Sequence, residues 1–245
     1  MRRAAFTLAF ATTYIAAGLW LDRYVDGTQQ FLLGVLTAAV LVALLVFHPA
    51  TVRLQTLAVV GIATVGEVVG SLIWGLYTYR LENIPAFVPP GHGIVYLAGL
   101  SLATLASRRP SVLLVSAGAG AVAWGIAGVT VLPAQDAWGA MGCAFLVAVL
   151  VWTRRSVYAG VFVAVAALEL YGTAIGTWTW AGVVPGVGLT QGNPPSGVAS
   201  GYVVFDVLAL ALTAGGVAAA SREWRRAIRG SSPEVARPET SPATS

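Results

Sequence analysis

Apolar segments long enough to cross a membrane recur along nearly the whole chain, and the charged residues lie in short clusters between them. Hydrophobic residues are 57% of the 245 and charged residues only 10%, a composition typical of polytopic membrane proteins. Backbone polar groups in hydrocarbon must pair within their own segment, so segments of this length are expected to be helices. The sequence therefore predicts an all-α, polytopic membrane helix bundle of about eight transmembrane helices, at 4–21, 31–47, 54–77, 92–106, 111–132, 137–152, 156–180 and 201–220.

The basic residues predict the orientation of these helices. All 14 are arginines, and twelve of them fall at the termini or in even-numbered loops, whereas only Arg23 and Arg80 fall on the other side. Basic residues concentrate on the cytoplasmic side of membrane proteins. We expect a multi-pass protein of the inner or plasma membrane with both termini in the cytoplasm, whose net charge of +4 serves contact with anionic lipid and not with nucleic acid.

The two ends of the chain and its cysteine allow three further predictions. The first apolar segment follows Arg2 and Arg3 and has small residues near its end, so a cleaved signal peptide is the alternative to a retained helix. Cleavage would leave seven spans and disrupt the repeat described below. The segment 230–245 is rich in Ser, Pro, Glu, Thr and Ala and is predicted to be a disordered cytoplasmic tail. The single Cys143 falls inside a span and cannot form an intrachain disulfide.

A motif occurs twice, once after each of two glutamates that lie within apolar runs. The shared pattern is E-x-x-G, then G-x-[YW]-T-[YW], then N-x-P-x-x-V-x-x-G, and it starts at Glu67 and at Glu169. In this register His92 matches Tyr202, and Tyr96 matches Asp206. The pattern predicts two parallel four-helix repeats, 1–107 and 108–229, related by an axis along the membrane normal.

An acid at bilayer depth costs roughly 2.5 to 3.5 kcal/mol, so each glutamate is a functional candidate, with an interhelical hydrogen bond as the structural alternative. Counting 1.5 Å per residue back from Tyr77 and Trp178 puts both acids about 15 Å deep, near the midplane. The aromatic pairs then fit either the interfacial belt or a pocket wall. The glycines one turn after each acid predict close approach of a helix or a flat ligand.

The candidate catalytic residues are Glu67, Glu169 and Asp206. Asp206 lies near the predicted outer surface, where snorkelling or capping is the alternative, and His92 has an interfacial alternative. The aromatic and polar residues around the acids are the substrate-binding candidates: Trp74, Tyr77, Tyr79, Asn83, His92, Trp178, Trp180 and Asn193.

No cofactor is predicted. The two histidines and one cysteine have no metal-ligand spacing, although His92 and the three acids would hold an ion if the fold brought them together. Phosphate-binding loops, nucleophile elbows and dinucleotide motifs are absent from the sequence, which argues against ATP-driven transport. The loops 80–91 and 181–200 are rich in Pro and Gly and fit either ordinary turns or irregular backbone over a cavity.

The run Glu169-Leu-Tyr-Gly-Thr-Ala-Ile-Gly-Thr-Trp-Thr-Trp180 resembles a motif of the integral-membrane carotenoid hydratases of bacterioruberin-type biosynthesis, and the copy at Glu67 resembles it too. The pairing of Glu67 with Asp206 resembles, more loosely, the small integral-membrane terpene cyclases. The likeness covers about thirty residues in each half. It implies a membrane enzyme that protonates an alkene of a long isoprenoid, after which water or an internal double bond captures the cation. Such chemistry needs a carboxylic acid that remains protonated in an apolar site, and aromatic faces to stabilise the cation.

Two other functions fit the same residues. Midplane acids in parallel repeats also suit a proton-coupled small-molecule carrier or channel. Glycine-rich faces such as the one at 116–120 suit a non-catalytic subunit or scaffold that binds lipid or a partner helix. The expected partner is therefore membrane lipid or a long isoprenoid, and the oligomeric state stays open.

Overall fold

The computed structural model describes residues 1–132 and 135–230, with side chains described up to residue 214. These residues are mostly helical, which confirms the all-α class. The predicted tail lies outside the described residues, apart from Gly230 at the end of the last helix. Eight α-helices lie within the described residues: α1 (Arg2–Asp22), α2 (Gly27–Val46), α3 (Ala50–Glu67), α4 (Val88–Leu105), α5 (Pro110–Thr130), α6 (Ala137–Thr153), α7 (Ser156–Ala174) and α8 (Val198–Gly230).

Among the described residues, five helical segments are long and apolar enough to cross a membrane, namely α1, α2, α5, α7 and the stretch Ala50–Ile73 that extends α3. The helix α6 and the first part of α8, Val198–Ala214, are apolar but shorter. Large hydrophobic side chains such as Phe31, Val115 and Trp152 are exposed on the outward faces of these helices. Exposed apolar side chains of this kind fit a surface that contacts lipid or another protein.

Two of the helices end earlier than the sequence predicted. After Glu67 the chain forms one π-helical stretch, Val68–Ile73, and then turns, and α7 ends at Ala174. Gly75 and Gly176 follow with φ angles of 74° and 77°, in the left-handed region where glycine often ends a helix. The predicted spans 54–77 and 156–180 are therefore wrong at their ends.

The residues after each glycine form two short strands, β1 (Tyr77–Tyr79) and β2 (Trp178–Trp180), which pair antiparallel. Thr78 lies opposite Thr179 at the centre, and each flanking tyrosine lies opposite a tryptophan. Since β1 follows α3 and β2 follows α7, the sheet joins the first half of the chain to the second.

The helices nearest to this sheet form the centre of the molecule, where α4 packs on α7 and α3 packs on α8. A Cβ atom at Gly160 would overlap the backbone carbonyl of Gly99, so these two glycines allow α4 and α7 to approach closely. The outer helices of the two halves have different packing partners. The helix α1 packs mainly on α4, whereas its counterpart α5 packs on both α6 and α7.

Two buried carboxylates hold the loops at the sheet end of the bundle. Asp22 accepts a hydrogen bond from Gln30 at 2.7 Å and pairs with Arg80 at 3.4 Å. Asp136 accepts backbone N–H bonds from Gly139, at the start of α6, and from the 181–197 loop. The long loop is thereby fastened to the bundle.

Candidate functional site

The two turns at Gly75 and Gly176 send the chain back toward the glutamates that precede them. In each copy the amide of the residue after the glycine donates to the carbonyl of the E-x-x-G glycine, Leu76 to Gly70 at 2.8 Å and Thr177 to Gly172 at 2.9 Å. The aromatic side chains of β1 and β2 therefore lie beside the acids and not at the distance that a continuous helix would give. The depth estimate that placed Tyr77 and Trp178 about 15 Å from the acids is wrong for this reason.

Glu67 is buried and has hydrogen-bond partners at both carboxylate oxygens. The hydroxyls of Tyr77 and Tyr79 both donate to Oε2, each at 2.7 Å. Oε1 lies 2.9 Å from Nε2 of His92, which is also buried. The acid thus has three partners, one of them a titratable base.

Glu169 has the matching arrangement. The indole N–H groups of Trp178 and Trp180 donate to its Oε2 at 2.9 and 3.3 Å. The hydroxyl of Tyr202 donates to Oε1 at 3.2 Å. The three partners occupy the motif positions that correspond to those around Glu67, including the match of Tyr202 to His92.

Ring contacts join the two sets into one group, which we call the acid cluster. The Tyr77 and Trp180 rings lie 4.5 Å apart, and His92 stacks on Tyr202 at 4.9 Å. Its members are Glu67, Tyr77, Tyr79, His92, Glu169, Trp178, Trp180 and Tyr202. Tyr202 is not among the predicted site residues, although the repeat register that aligns it with His92 is a signal that identifies it.

The glycines of the E-x-x-G motif make room for these rings. A Cβ atom at Gly172 would overlap the indole of Trp178, and one at Gly70 would lie 3.2 Å from the ring of Tyr77. The predicted close approach at these glycines is therefore made by the protein's own aromatic side chains.

The two carboxylates differ in where a proton can reside. Indole N–H groups only donate, so a proton on Glu169 belongs on Oε1, where the Tyr202 oxygen can accept it. Glu67 and His92 share one proton between Oε1 and Nε2, because either atom can carry it. Glu67 is thus paired with a group that can return a proton, whereas two of the three partners of Glu169 can only donate.

A cavity of about 440 Å³ adjoins the acid cluster, and all eight members of the cluster line it. The rest of the wall is mainly apolar and comes from α1, α2, α3, α4, α6, α7 and α8, with side chains such as Leu19, Leu33, Phe87 and Leu168. Met141 and Phe145 belong to the wall and are also exposed on the surface of α6. The cavity therefore reaches the apolar exterior of the bundle.

Four predicted site residues lie outside the cavity wall. Trp74 is partly exposed and donates to the carbonyl of Pro185 at 2.8 Å. The exposed Asn193 accepts from the backbone N–H of Trp180, and Asn83 donates to Gln30. These three side chains hold the strands and loops in place. Asp206 is buried one turn of α8 beyond Tyr202 and does not reach the cavity.

Within residues 1–132 and 135–214, whose side chains are described, no three His, Cys, Asp or Glu side chains form a group that could hold a metal ion. Of the four predicted ion ligands, Glu67, Glu169 and His92 lie in the acid cluster and Asp206 does not. Aromatic donors fill the space around each of the two glutamate carboxylates. What the arrangement offers chemically is two carboxylates, a shared proton and several aromatic faces beside an apolar cavity.

Comparison of the chain with family models, with curated proteins and with solved structures gave no match. Functional assignment therefore rests on the geometry of the acid cluster and the cavity.

Proposed function

We propose that the protein is integral to the membrane and that all eight helices cross it. Five helices have the length and hydropathy that a span requires. The exposed Phe31, Val115 and Trp152 give the outer surface the character of one that faces acyl chains. The arginine distribution supports an orientation with both termini in the cytoplasm.

A parallel duplication with halves 1–107 and 108–229 is part of this proposal. Its main support is that corresponding motif positions contact corresponding acids in the two halves. The packing of α4 on α7 and of α3 on α8 is also what a two-fold relation between the halves requires. The acids would then lie on either side of the pseudo-symmetry axis.

Within this membrane protein we propose an enzyme that modifies a long isoprenoid, of the class suggested by the resemblance to carotenoid hydratases and membrane terpene cyclases. The observation that carries the proposal is the apolar cavity lined by the two buried carboxylates and the six aromatic or imidazole rings of the acid cluster. A polyene needs apolar walls. Its protonation needs an acid that is kept away from bulk water, because water would otherwise take up the proton in place of the alkene. The exposed wall residues Met141 and Phe145 provide a route of entry from the lipid.

In the proposed reaction Glu67 and His92 supply the proton. As it moves to one alkene carbon, the π bond breaks, a C–H bond forms and the neighbouring carbon becomes cationic. The ring faces of Tyr77 and Trp180 and the charge of Glu169 stabilise this cation. Water then adds to it and returns one proton to the Glu67–His92 pair, which gives an alcohol. In the cyclase version an internal double bond attacks, and a C–H proton returns instead.

The test is the lipid profile of cells that make the isoprenoid precursor and express the protein. Glu67→Gln and Glu169→Gln keep the shape of the side chain and remove its acid, and each should abolish the hydroxylated or cyclised product. Glu82→Gln is the matched control, since Glu82 is exposed in the loop after β1. Equal insertion of all variants in the membrane must be shown by quantifying the folded protein. A lipid profile that responds neither to expression nor to the glutamate variants would refute the enzyme.

The second candidate is a proton-coupled carrier, favoured by the position of Glu67 and Glu169 where the two halves of the chain meet. It predicts substrate-dependent proton movement in reconstituted vesicles, lost with either Gln substitution and unaccompanied by a new lipid. Absence of both readouts, together with co-purification of a partner, would favour the scaffold.

A further inference from the structure

A pair of hydroxyl groups lines the cavity outside the acid cluster. The Tyr14 hydroxyl of α1 lies 2.9 Å from Oγ1 of Thr37 on α2, and both residues belong to the cavity wall. Thr37 is 4% exposed, and Tyr14 is partly exposed. Among the described residues, the other polar wall side chains outside the cluster are Trp138 of α6 and Ser200 of α8. The proposed reaction uses none of these four side chains.

Both hydrogen atoms of this hydroxyl pair are already used within the protein. The Thr37 hydroxyl donates to the carbonyl of Leu33, one turn back in its own helix, at 2.7 Å. Its Oγ1 atom is therefore the acceptor in the contact with Tyr14, and the Tyr14 hydroxyl is the donor. A phenolic oxygen can also accept a hydrogen bond, and none of the described residues donates to it. The pair can thus accept one further hydrogen bond but has no hydrogen left to donate.

The pair lies deep in the bilayer if the helices cross it as proposed. Tyr14 precedes the end of α1 at Asp22 by eight residues, about 12 Å, and Thr37 follows the start of α2 at Gly27 by ten residues, about 15 Å. The hydrocarbon at this depth contains no water that could donate to the Tyr14 oxygen. The remaining source of a donor is a molecule in the cavity.

The helices that carry the pair lie on one side of the acid cluster. Both α1 and α2 pack on α4, the helix of His92, whereas α6 packs on α5 and α8. The cavity reaches α1, α2 and α6, and all members of the acid cluster line it. A chain held at the hydroxyl pair can therefore run along the cluster toward Met141 and Phe145, where the cavity reaches the exterior.

We propose that the Tyr14–Thr37 pair binds a hydroxyl group of the substrate, which makes the substrate an isoprenoid alcohol and not a hydrocarbon. The substrate hydroxyl donates to the Tyr14 oxygen, and the chain extends from there so that an internal double bond lies near Glu67 and His92. A ketone or a hydrocarbon has no hydrogen to donate and leaves the acceptor unpaired. The inference rests on the proposed function for the isoprenoid chain and on the hydroxyl pair for its polar end.

The test compares the binding of phytanol, a saturated isoprenoid alcohol, with that of phytane, the matching hydrocarbon, to the full-length protein in detergent micelles. Tryptophan fluorescence reports binding, because Trp178 and Trp180 line the cavity. Combining Tyr14→Phe with Thr37→Val removes both oxygens and should lower the ratio of the two affinities roughly tenfold, the effect of one lost hydrogen bond. Since all variants share the same micelle, partition of the ligands into it cancels in this comparison.

The matched control combines Tyr24→Phe with Thr12→Val and should leave the ratio unchanged. Tyr24 is exposed, the Thr12 hydroxyl bonds its own helix at Leu8 as that of Thr37 bonds Leu33, and both lie outside the cavity wall. A ratio that stays at the wild-type value when Tyr14 and Thr37 are both replaced would overturn the hydroxyl site. Loss of the preference in Ser200→Ala instead would place the hydroxyl on α8 and would also overturn it.

Thr37→Val alone keeps the experiment decisive if the double variant fails to fold. It removes the acceptor of the Tyr14 hydroxyl, which is then free to donate to a ligand. Binding of phytone, a related ketone, should strengthen roughly tenfold relative to phytane, and an unchanged relative affinity would overturn the site. These ligands contain no alkene and need no turnover. The predicted preferences in a protein that leaves isoprenoids unmodified in cells would therefore refute the enzyme and support the site.

Discussion

Replacement of Gly172 by alanine tests the way in which the aromatic side chains fold back onto the acids. An alanine Cβ at this position would overlap the outer edge of the Trp178 indole. That ring cannot move away freely, because Trp178 is paired in the sheet with Tyr79 and its indole N–H is bonded to Glu169. The substitution must displace α7 or break the hydrogen bond.

The magnitude follows from these two consequences. Overpacking of a tight site costs about 1 to 3 kcal/mol, and a hydrogen bond to a charged group contributes about 1.5 to 3 kcal/mol. The two contributions overlap in part, since a shift that relieves the first weakens the second. We therefore expect the free energy of unfolding to fall by about 3 kcal/mol. Gly70→Ala should cost less, because its Cβ would lie 3.2 Å from the Tyr77 ring.

The assay is equilibrium unfolding in mixed detergent micelles, followed by far-ultraviolet circular dichroism. The matched control is Gly120→Ala on α5, where an added Cβ meets nothing within 4 Å and stability should change by no more than about 1 kcal/mol. If Gly172→Ala proves as stable as the wild type, Trp178 does not lie against this helix and the account of the acid cluster fails.

Three further predictions use the same unfolding assay. Asp136→Ala should lower the free energy of unfolding by about 3 to 5 kcal/mol, because it removes the acceptor of three backbone N–H groups. The control Asp26→Ala, which removes an exposed helix cap, should lower it by about 1 kcal/mol. Equal losses for the two variants would contradict the role of Asp136 in anchoring the long loop. Gly160→Ala should lower the free energy of unfolding by at least about 1 to 3 kcal/mol, since its Cβ would overlap the backbone of α4. The control is Gly61→Ala, which adds a Cβ in open space. Similar changes in stability at both sites would refute the close crossing of α4 and α7. Tyr79→Phe removes one of the three partners of Glu67 and should cost about 1.5 to 3 kcal/mol, and an unchanged stability would mean that this bond is not formed.

The helices and the correspondence between the two glutamate motifs followed from local sequence patterns. Length and hydropathy located eight helical segments, because each one must satisfy its own backbone in an apolar setting. The motif match between the Glu67 and Glu169 segments identified the corresponding residues of the two halves, although the depth estimate placed the aromatic pairs away from the acids. Such features depend on short stretches of chain, and a single sequence contains them.

The fold-back of the aromatic residues was missed because the hydropathy of each span continued past its glycine. A signal was present: Gly75 and Gly176 are each followed by aromatic residues two apart, Y-T-Y and W-T-W, a period of two that indicates a strand. The cavity had no comparable signal. Its wall comes from seven helices, so its existence depends on how they pack and on the rings at Gly70 and Gly172.

The small sheet also has a mechanical consequence. Its ladder, with Thr78 opposite Thr179 at the centre, fastens the two halves by main-chain bonds at one end of the molecule. A cycle in which the halves moved apart first at one end and then at the other would have to break the main-chain bonds of this sheet each time. The two buried carboxylates would then lose their donors, because the sheet holds those side chains in place. Rigid-body motion that keeps this sheet paired must therefore pivot at the sheet, and at the opposite, arginine-rich end of the bundle it is opposed by the close crossing of α4 and α7 at Gly99 and Gly160.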